Sequence, residues 1–275
     1  MSQFDKDSKE LYLELTKRCL INSIYQESKT WNQVISRRLP VKLLNKILTV
    51  FNLGIFFVKP FDQRMRESGQ DWPMEAHTMI GLKRLDNIQY CAEKLIKEGI
   101  SGDFIETGVW RGGACIFMRA ILKAYNVKDR RVWLADSFEG LPKPDVDKYP
   151  LDKEIPFHSI EYLKVSLEEV KTNFKRYGLL DQQVNFLKGW FRETLPKAPL
   201  KKLALIRLDG DMYESTAQAL EYLYPKLAIG GYLIVDDYGA IDVCRQAVQD
   251  YRRKHRITDK IIKIDWSGAY WRRSL

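Results

Sequence analysis

The carboxylates of this 275-residue chain that could do chemistry stand where apolar runs end. "DFIETG" carries Glu106, "VWLAD" ends on Asp136, "LIRLDGD" carries Asp209 and Asp211, and "YLIVDDY" carries Asp236 and Asp237. In an open parallel sheet, ligands bind beyond the carboxyl ends of the strands, so such acids would gather on one rim. A helix of the length a right-handed crossover requires separates Asp209 from Asp236 and Asp237, which predicts that these three carboxylates converge. Converging carboxylates repel unless a cation neutralises them, and an all-oxygen set suits Mg2+ or a similar hard ion; solvated turn acids would give the same letters.

The stretch "FIETGVWRGGAC" adds Gly108, Gly112 and Gly113 beside the first acid. Gly108 would let a ligand approach the backbone, and a helix starting near Gly113 would offer free N–H groups, though a tight turn uses glycine equally well. A nicotinamide site would show G-x-G-x-x-G; here Trp110 stands in place of the second glycine, which argues against close pyrophosphate approach. Asp136 can accept hydrogen bonds from both ribose hydroxyls of a nucleoside cofactor, NAD or S-adenosylmethionine alike, or cap the turn "DSFEGLP". His77, His158 and His255 lie off this rim and no nucleophile elbow occurs, which makes acyl-transfer hydrolysis a poor fit.

The elements that must position these residues alternate from residue 100 onward. "GDFIETG", a helix over 113–125, "RRVWLAD", a helix near 159–177, "QVNFLKG", "KLALIRLD", a helix over 214–226, "GGYLIVDD" and a helix over 241–254 follow one another. Continuous apolar strands separated by helices imply a parallel sheet covered on both faces. "KIIKIDWSGAYWRR" adds two strands about a glycine turn, an antiparallel edge. The expected fold is α/β, a doubly wound, mostly parallel seven-stranded sheet of Rossmann-like type. Upstream, residues 8–25 place Leu11, Leu15, Cys19 and Leu20 at helical spacing, 42–58 is helix-like before Pro60, 61–73 reads as a loop, and a helix is expected over 74–98. This divides the chain into an N-terminal helical accessory and lid segment, 1–73, and a catalytic domain, 74–275.

The net charge is +9, and residues 1–70 hold 12 Lys and Arg against 7 Asp and Glu. That excess reads as a solvated basic face, and no RNP-like, helix-turn-helix or zinc-finger pattern accompanies it, so nucleic acid is not an expected partner. The apolar run 43–58 is interrupted by polar residues and too short for stable membrane insertion, and no secretory signal precedes it, so a cytoplasmic protein is expected. Cys19, Cys91, Cys115 and Cys244 are far apart and read as buried thiols.

"RESGQDWPMEAHTMIGLKRLDN", "GDFIETGVWRGGACIFMRAIL", "ADSFEGLP", "FLKGWFRETLP", "IRLDGDMYEST", "PKLAIGGYLIVDDYGA" and "AYWRR" occur in this order and together resemble the macrocin O-methyltransferase (TylF-type) family. The resemblance covers 8–30 and 63–273; residues 31–60 match least. It implies a class I methyltransferase fold and an S-adenosylmethionine- and Mg2+-dependent enzyme of antibiotic biosynthesis that methylates a sugar hydroxyl of a glycosylated small molecule. A catechol-type phenol is the alternative acceptor. By the same resemblance Glu106, Thr107, Gly108, Val109 and Trp110 contact the methionine part of the cofactor. Asp136, Ser137 and Phe138 hold its ribose, Gly189, Trp190 and Phe191 line the adenine pocket, and Thr78 and Met79 belong to a lid. Asp209, Asp236 and Asp237 bind the metal, and Asp209 serves as general base with Asp211 as the alternative. Apolar accessory helices make a homodimer the expected assembly.

Overall fold

A computed structural model describes residues 3–25, 29–33, 43–44, 47–48 and 56–274. At the N-terminus, helix α1 (Gln3–Leu20) forms as its spacing predicts, but the face it buries carries Leu13, Thr16 and Leu20, while Leu11 and Leu15 are exposed. Strand β1 (Lys29–Gln33) pairs antiparallel with β2 (Phe56–Pro60). The helix expected over 42–58 therefore gives way to strand from Phe56, where aromatic and β-branched residues favour a pleated partner; most of 42–55 lies outside the described residues. The stretch 61–73, expected as a loop, contains α2 (Gln63–Ser68). The Asp62 carboxylate accepts the N–H groups of Arg64 and Met65, and Gly69 at φ +65° ends the helix. Residues 74–81 are irregular instead, so the next helix, α3 (Leu82–Lys97), starts eight residues later than expected.

The strands β3 (Asp103–Thr107), β4 (Val132–Asp136), β5 (Val184–Lys188), β6 (Leu203–Leu208) and β7 (Leu227–Val235) are parallel, and β8 (Ile262–Lys263) and β9 (Ala269–Arg272) form the antiparallel edge in the order β5-β4-β3-β6-β7-β9-β8. This is the expected seven-stranded sheet. Helices α4 (Gly113–Ala124), α5 (Leu167–Arg176), α6 (Phe191–Thr194), α7 (Tyr213–Leu223) and α8 (Asp242–Lys254) complete the chain. Helix α5 begins later than expected because Ser166 caps it, accepting the Glu169 N–H at 3.2 Å; 150–163 is a run of short 3-10 turns.

Side chains on a strand alternate between faces, so adjacent residues feed opposite cores. Phe104 packs with Leu85, Ile88, Phe117 and Phe174 on one face, and Ile105 with Ile206, Leu220, Val248 and Trp271 on the other. Each such side chain, fully buried, contributes about 1.5–3 kcal/mol. Leu13, Leu20 and Ile21 belong to the first core, and the His77 N–H donates to the Leu20 carbonyl at 2.8 Å. Leu13, Leu20 and Ile21 of the N-terminal segment thus share a core with Phe104 of the sheet. Cys91, Cys115 and Cys244 are buried free thiols, and Cys19 is half-buried. No helix among the described residues is long and apolar enough to cross a membrane.

Candidate active site

The carboxyl ends of β3, β4, β6 and β7 meet at one rim. Gly108, at φ +80°, sits where the chain leaving β3 crosses the Asp209 carbonyl; a Cβ there would lie 1.7 Å from that oxygen. Glycine is therefore demanded by strand packing, the turn reading of this residue, and Gly108 also lines the cavity that opens above it. Met79, Trp110, Asp136, Ser137, Gly189, Trp190, Phe191, Asp209 and Asp211 line the same cavity.

Asp136 takes the capping role its sequence position allowed. One carboxylate oxygen accepts the Val109 N–H at 2.7 Å and the other the Phe138 N–H at 2.7 Å. Burial raises its pKa, and these backbone donors act against that rise. Phe138 itself turns its ring toward Phe186 in the core, and Val109 is buried. Thr107 and Glu106 are each 1% exposed beneath the rim, and the Glu106 carboxylate receives Arg207 on one oxygen and the Cys115 thiol at 2.9 Å on the other. Burial pushes Glu106 up to about 7 despite that guanidinium.

The three acids expected to converge do so: the ligand atoms of Asp209, Asp236 and Asp237 lie within 4.8 Å of one another. Two buried arginines organise them. Arg207, opposite Glu106 in the β3–β6 register, donates to Glu106, to Asp209 at 2.7 Å and to Asp236. Arg84 on α3 donates to the second Asp236 oxygen and to Asp265 at 3.1 Å. Burial raises Asp236, but the two guanidiniums outweigh it and hold the carboxyl below its ordinary range. Asp237 is pushed well above its range by burial and by the charges of Asp211 and Asp209, and its Oδ2 is buried without a hydrogen-bond partner among the described residues. An orphaned oxygen in a cluster with more acids than arginines fits a hard cation. The arginine inside the apolar run "LALIRL" was the sequence signal for this network, since an arginine in a buried strand requires charged partners.

Asp211 lines the cavity with its backbone at φ +56°, and Trp110 (φ +45°) and Phe138 (φ +57°) are also left-handed. Two non-glycine residues in this costly region on one cavity wall, with a third beside cavity-lining Ser137, mark a site held in shape by its surroundings. Burial, Asp209 and Asp236 push the Asp211 carboxyl up to about 8; burial pushes Asp209 up to about 6 against the pull of Arg207.

Two segments cover the rim. Met79 reaches the cavity, while buried Thr78 packs on the start of α4, where a Cβ on Gly113 would meet it at 2.7 Å. Tyr162 stacks between Trp72 (5.4 Å) and Trp110 (5.3 Å), its hydroxyl donates to the Pro73 carbonyl, and the Trp110 indole N–H donates to the Tyr162 carbonyl at 3.0 Å. Asp152 pins the excursion after β4 to the start of α7 by accepting the N–H groups of Tyr213 (2.8 Å) and Glu214 (2.9 Å). Sequence reading gave no role to Leu141, Pro142, Leu163, Arg192, Glu214, Ser215 and Gln218, which also line the cavity; Leu141, Pro142, Arg192, Glu214 and Ser215 stand in the quoted motifs, where nothing in their type alone announces a ligand.

The family model described as macrocin-O-methyltransferase (TylF) matches residues 9–273. Mycinamicin III 3''-O-methyltransferase of Micromonospora griseorubida is 48% identical over 268 residues, 96% of this chain and 97% of that protein. The 8-demethyl-8-(2,3-dimethoxy-alpha-L-rhamnosyl)-tetracenomycin-C 4'-O-methyltransferase of Streptomyces olivaceus is 50% identical over 268 residues, 97% of this chain and 94% of that protein. The solved structure of the O-methyltransferase NovP superposes with a TM-score of 0.84 at 45% identity, covering 97% of this chain and 100% of that one.

Proposed function

The chain belongs to the macrocin O-methyltransferase (TylF) family and is an O-methyltransferase; on that premise we propose that it methylates a sugar hydroxyl of a glycosylated natural product, with S-adenosylmethionine as methyl donor and Mg2+ as metal. The acceptor class follows what its relatives are named for. The donor fits a cavity wall that carries Asp136, Asp209, Asp211 and Glu214 against a single arginine, Arg192, a balance suited to a cationic ligand. Asp136 would hold the ribose, with Gly189, Trp190 and Phe191 along the purine.

Asp209, Asp236 and Asp237 would hold the cation, with the orphaned Asp237 oxygen as its most available ligand atom. When bound, such an ion lowers the pKa of a hydroxyl it touches and balances the charge that develops on the oxygen. Arg207 and Arg84 fix the Asp236 carboxylate from both sides, so that ligand does not swing. The released proton goes to Asp211 in this reading, in preference to Asp209. Asp209 already accepts from Arg207 and belongs to the cation set, whereas the Asp211 carboxylate stands on the cavity wall with its affinity for protons raised. Trp110, Tyr162 and Met79 would exclude water, and alignment of acceptor oxygen and methyl is worth ~7–11 kcal/mol in well-oriented systems. Exposed Leu11 and Leu15 on α1 are the surface we assign to a homodimer, which sedimentation would reveal.

The observation that carries this reading is the placement of Asp211 on the cavity wall beside the three-carboxylate cluster. Calorimetric titration of S-adenosylhomocysteine with Mg2+ and with chelator, NAD serving as control, tests it. Binding of the homocysteine nucleoside and faster turnover of a glycosylated macrolide than of a catechol are expected. Preferential NAD binding would overturn the cofactor, and faster catechol turnover the acceptor.

A further inference from the structure

One buried acid on the cavity wall has no part in the mechanism above. Glu214 is 4% exposed, and its Oε1 accepts the Gln218 side-chain N–H at 2.8 Å. Its Oε2 is buried with no hydrogen-bond donor among the described residues. The N–H groups of Tyr213 and Glu214 at the start of α7 do not supply one, because Asp152 holds them. Arg192, on the same wall, is oriented toward Glu193 at 3.5 Å. A buried carboxylate oxygen left without a donor is costly, so its persistence here points to a donor that arrives with the ligand.

The neighbouring surfaces say what shape that ligand has. Gly189 and Gly210 present bare backbone to the cavity and Phe191 presents a ring; a Cβ on Gly210 would lie 2.9 Å from Ser215 and 3.5 Å from the Phe191 ring. Flat apolar walls with one acceptor at the edge suit a heteroaromatic ring carrying an amino group. Of the donors that S-adenosylmethionine carries, the ribose hydroxyls face Asp136 in the reading above and the ammonium lies at the opposite end of the molecule from the base. The exocyclic amine of the purine remains.

We propose that the Glu214 carboxylate, held in orientation by Gln218, accepts a hydrogen bond from the 6-amino group of the cofactor's adenine and makes the site selective for adenine over a 6-oxopurine. The proposal rests on the reading that this cavity takes S-adenosylmethionine. A 6-oxopurine would set an acceptor against an acceptor, leaving two buried groups unsatisfied, and sites built around such a bond discriminate strongly. Glu214→Gln keeps the shape and the Gln218 contact but turns the Oε2 position into a donor, which a 6-oxo group accepts.

Calorimetry on the full chain with S-adenosylhomocysteine and S-inosylhomocysteine, in wild type and Glu214→Gln, tests this, with thermal melts to confirm that the variant folds. Wild type should prefer the adenine ligand by about tenfold or more, and Glu214→Gln should erase or invert that preference. Equal binding of the two ligands by wild type, or an unchanged ratio in the variant, overturns the proposal and leaves the methyltransferase reading intact. An unchanged ratio with a raised KM for the acceptor would place Glu214 on the acceptor instead. If wild type binds neither nucleoside, the assignment of the cavity falls and this proposal with it. A near-isosteric variant that melts like wild type excludes misfolding as the cause of any change.

Discussion

Asp236, Asp237 and Asp211 on the rim differ in what surrounds them, and their roles separate accordingly. Asp236 is clamped by two guanidiniums, so Asp236→Asn is expected to destabilise the fold by about 3–5 kcal/mol as well as to impair chemistry. Asp237 has no donor on its Oδ2 among the described residues, so Asp237→Asn should melt no lower than wild type while losing Mg2+ affinity. Paired thermal melts and metal titrations on the two variants check this; equal destabilisation would mean that both acids are structural. Asp211 must be deprotonated to take a proton, and its carboxyl is pushed up to about 8. Turnover should therefore rise with pH through that region and level off above it, at a lower pH when the cation shares its field. Asp211→Asn should cut kcat by about 10²–10⁴ and flatten the rise. A pH–rate profile unchanged by this substitution would move the base elsewhere. The convergence of Asp209, Asp236 and Asp237 was legible from their places at strand ends. Of the arginines that divide them, Arg207 stands out inside an apolar strand, whereas Arg84 was not legible, because it approaches from a helix more than a hundred residues earlier in the chain.

Among the elements, the parallel strands were legible because each is a continuous apolar run, whereas segments governed by one polar contact were not. Asp62 and Gly69 make a helix of a stretch that composition marks as loop, Ser166 delays α5, and β2 depends on a partner far upstream. The run 150–163 belongs to the same class, since its position depends on the two backbone donors that Asp152 holds. Removing this cap in Asp152→Ala should cost roughly 1–2 kcal/mol locally. Hydrogen exchange across 143–163 should quicken, and the KM for the acceptor should rise more than the Kd for S-adenosylhomocysteine. Exchange that stays slow would show that the stack of Tyr162 on Trp72 and Trp110 suffices to hold the segment.

For the whole molecule, the N-terminal helix is part of the core. Leu13→Ala should destabilise the chain by about 2–5 kcal/mol, read by denaturant unfolding; a loss below this range would make α1 an appendage. His77, in the irregular stretch 74–81, is tied to Tyr177 by a 2.8 Å hydrogen bond, and burial together with Arg176 and Arg111 lowers its pKa to about 4 from 6.5. The unfolded chain therefore binds the extra proton first, so this contribution to stability is present above pH 6.5 and lost as pH falls from 6.5 toward 4. The melting temperature of His77→Gln should depend less on pH across that window than that of wild type. The excursion between Pro142 and Leu163 has a different standing. Both its ends lie on the cavity wall, and its interior is fastened to the framework through Asp152. It leaves and returns at the same place, so a corresponding segment from a relative could be grafted there, provided the donor carries its own acid for the two waiting amides, and the sugar the enzyme selects would travel with the graft.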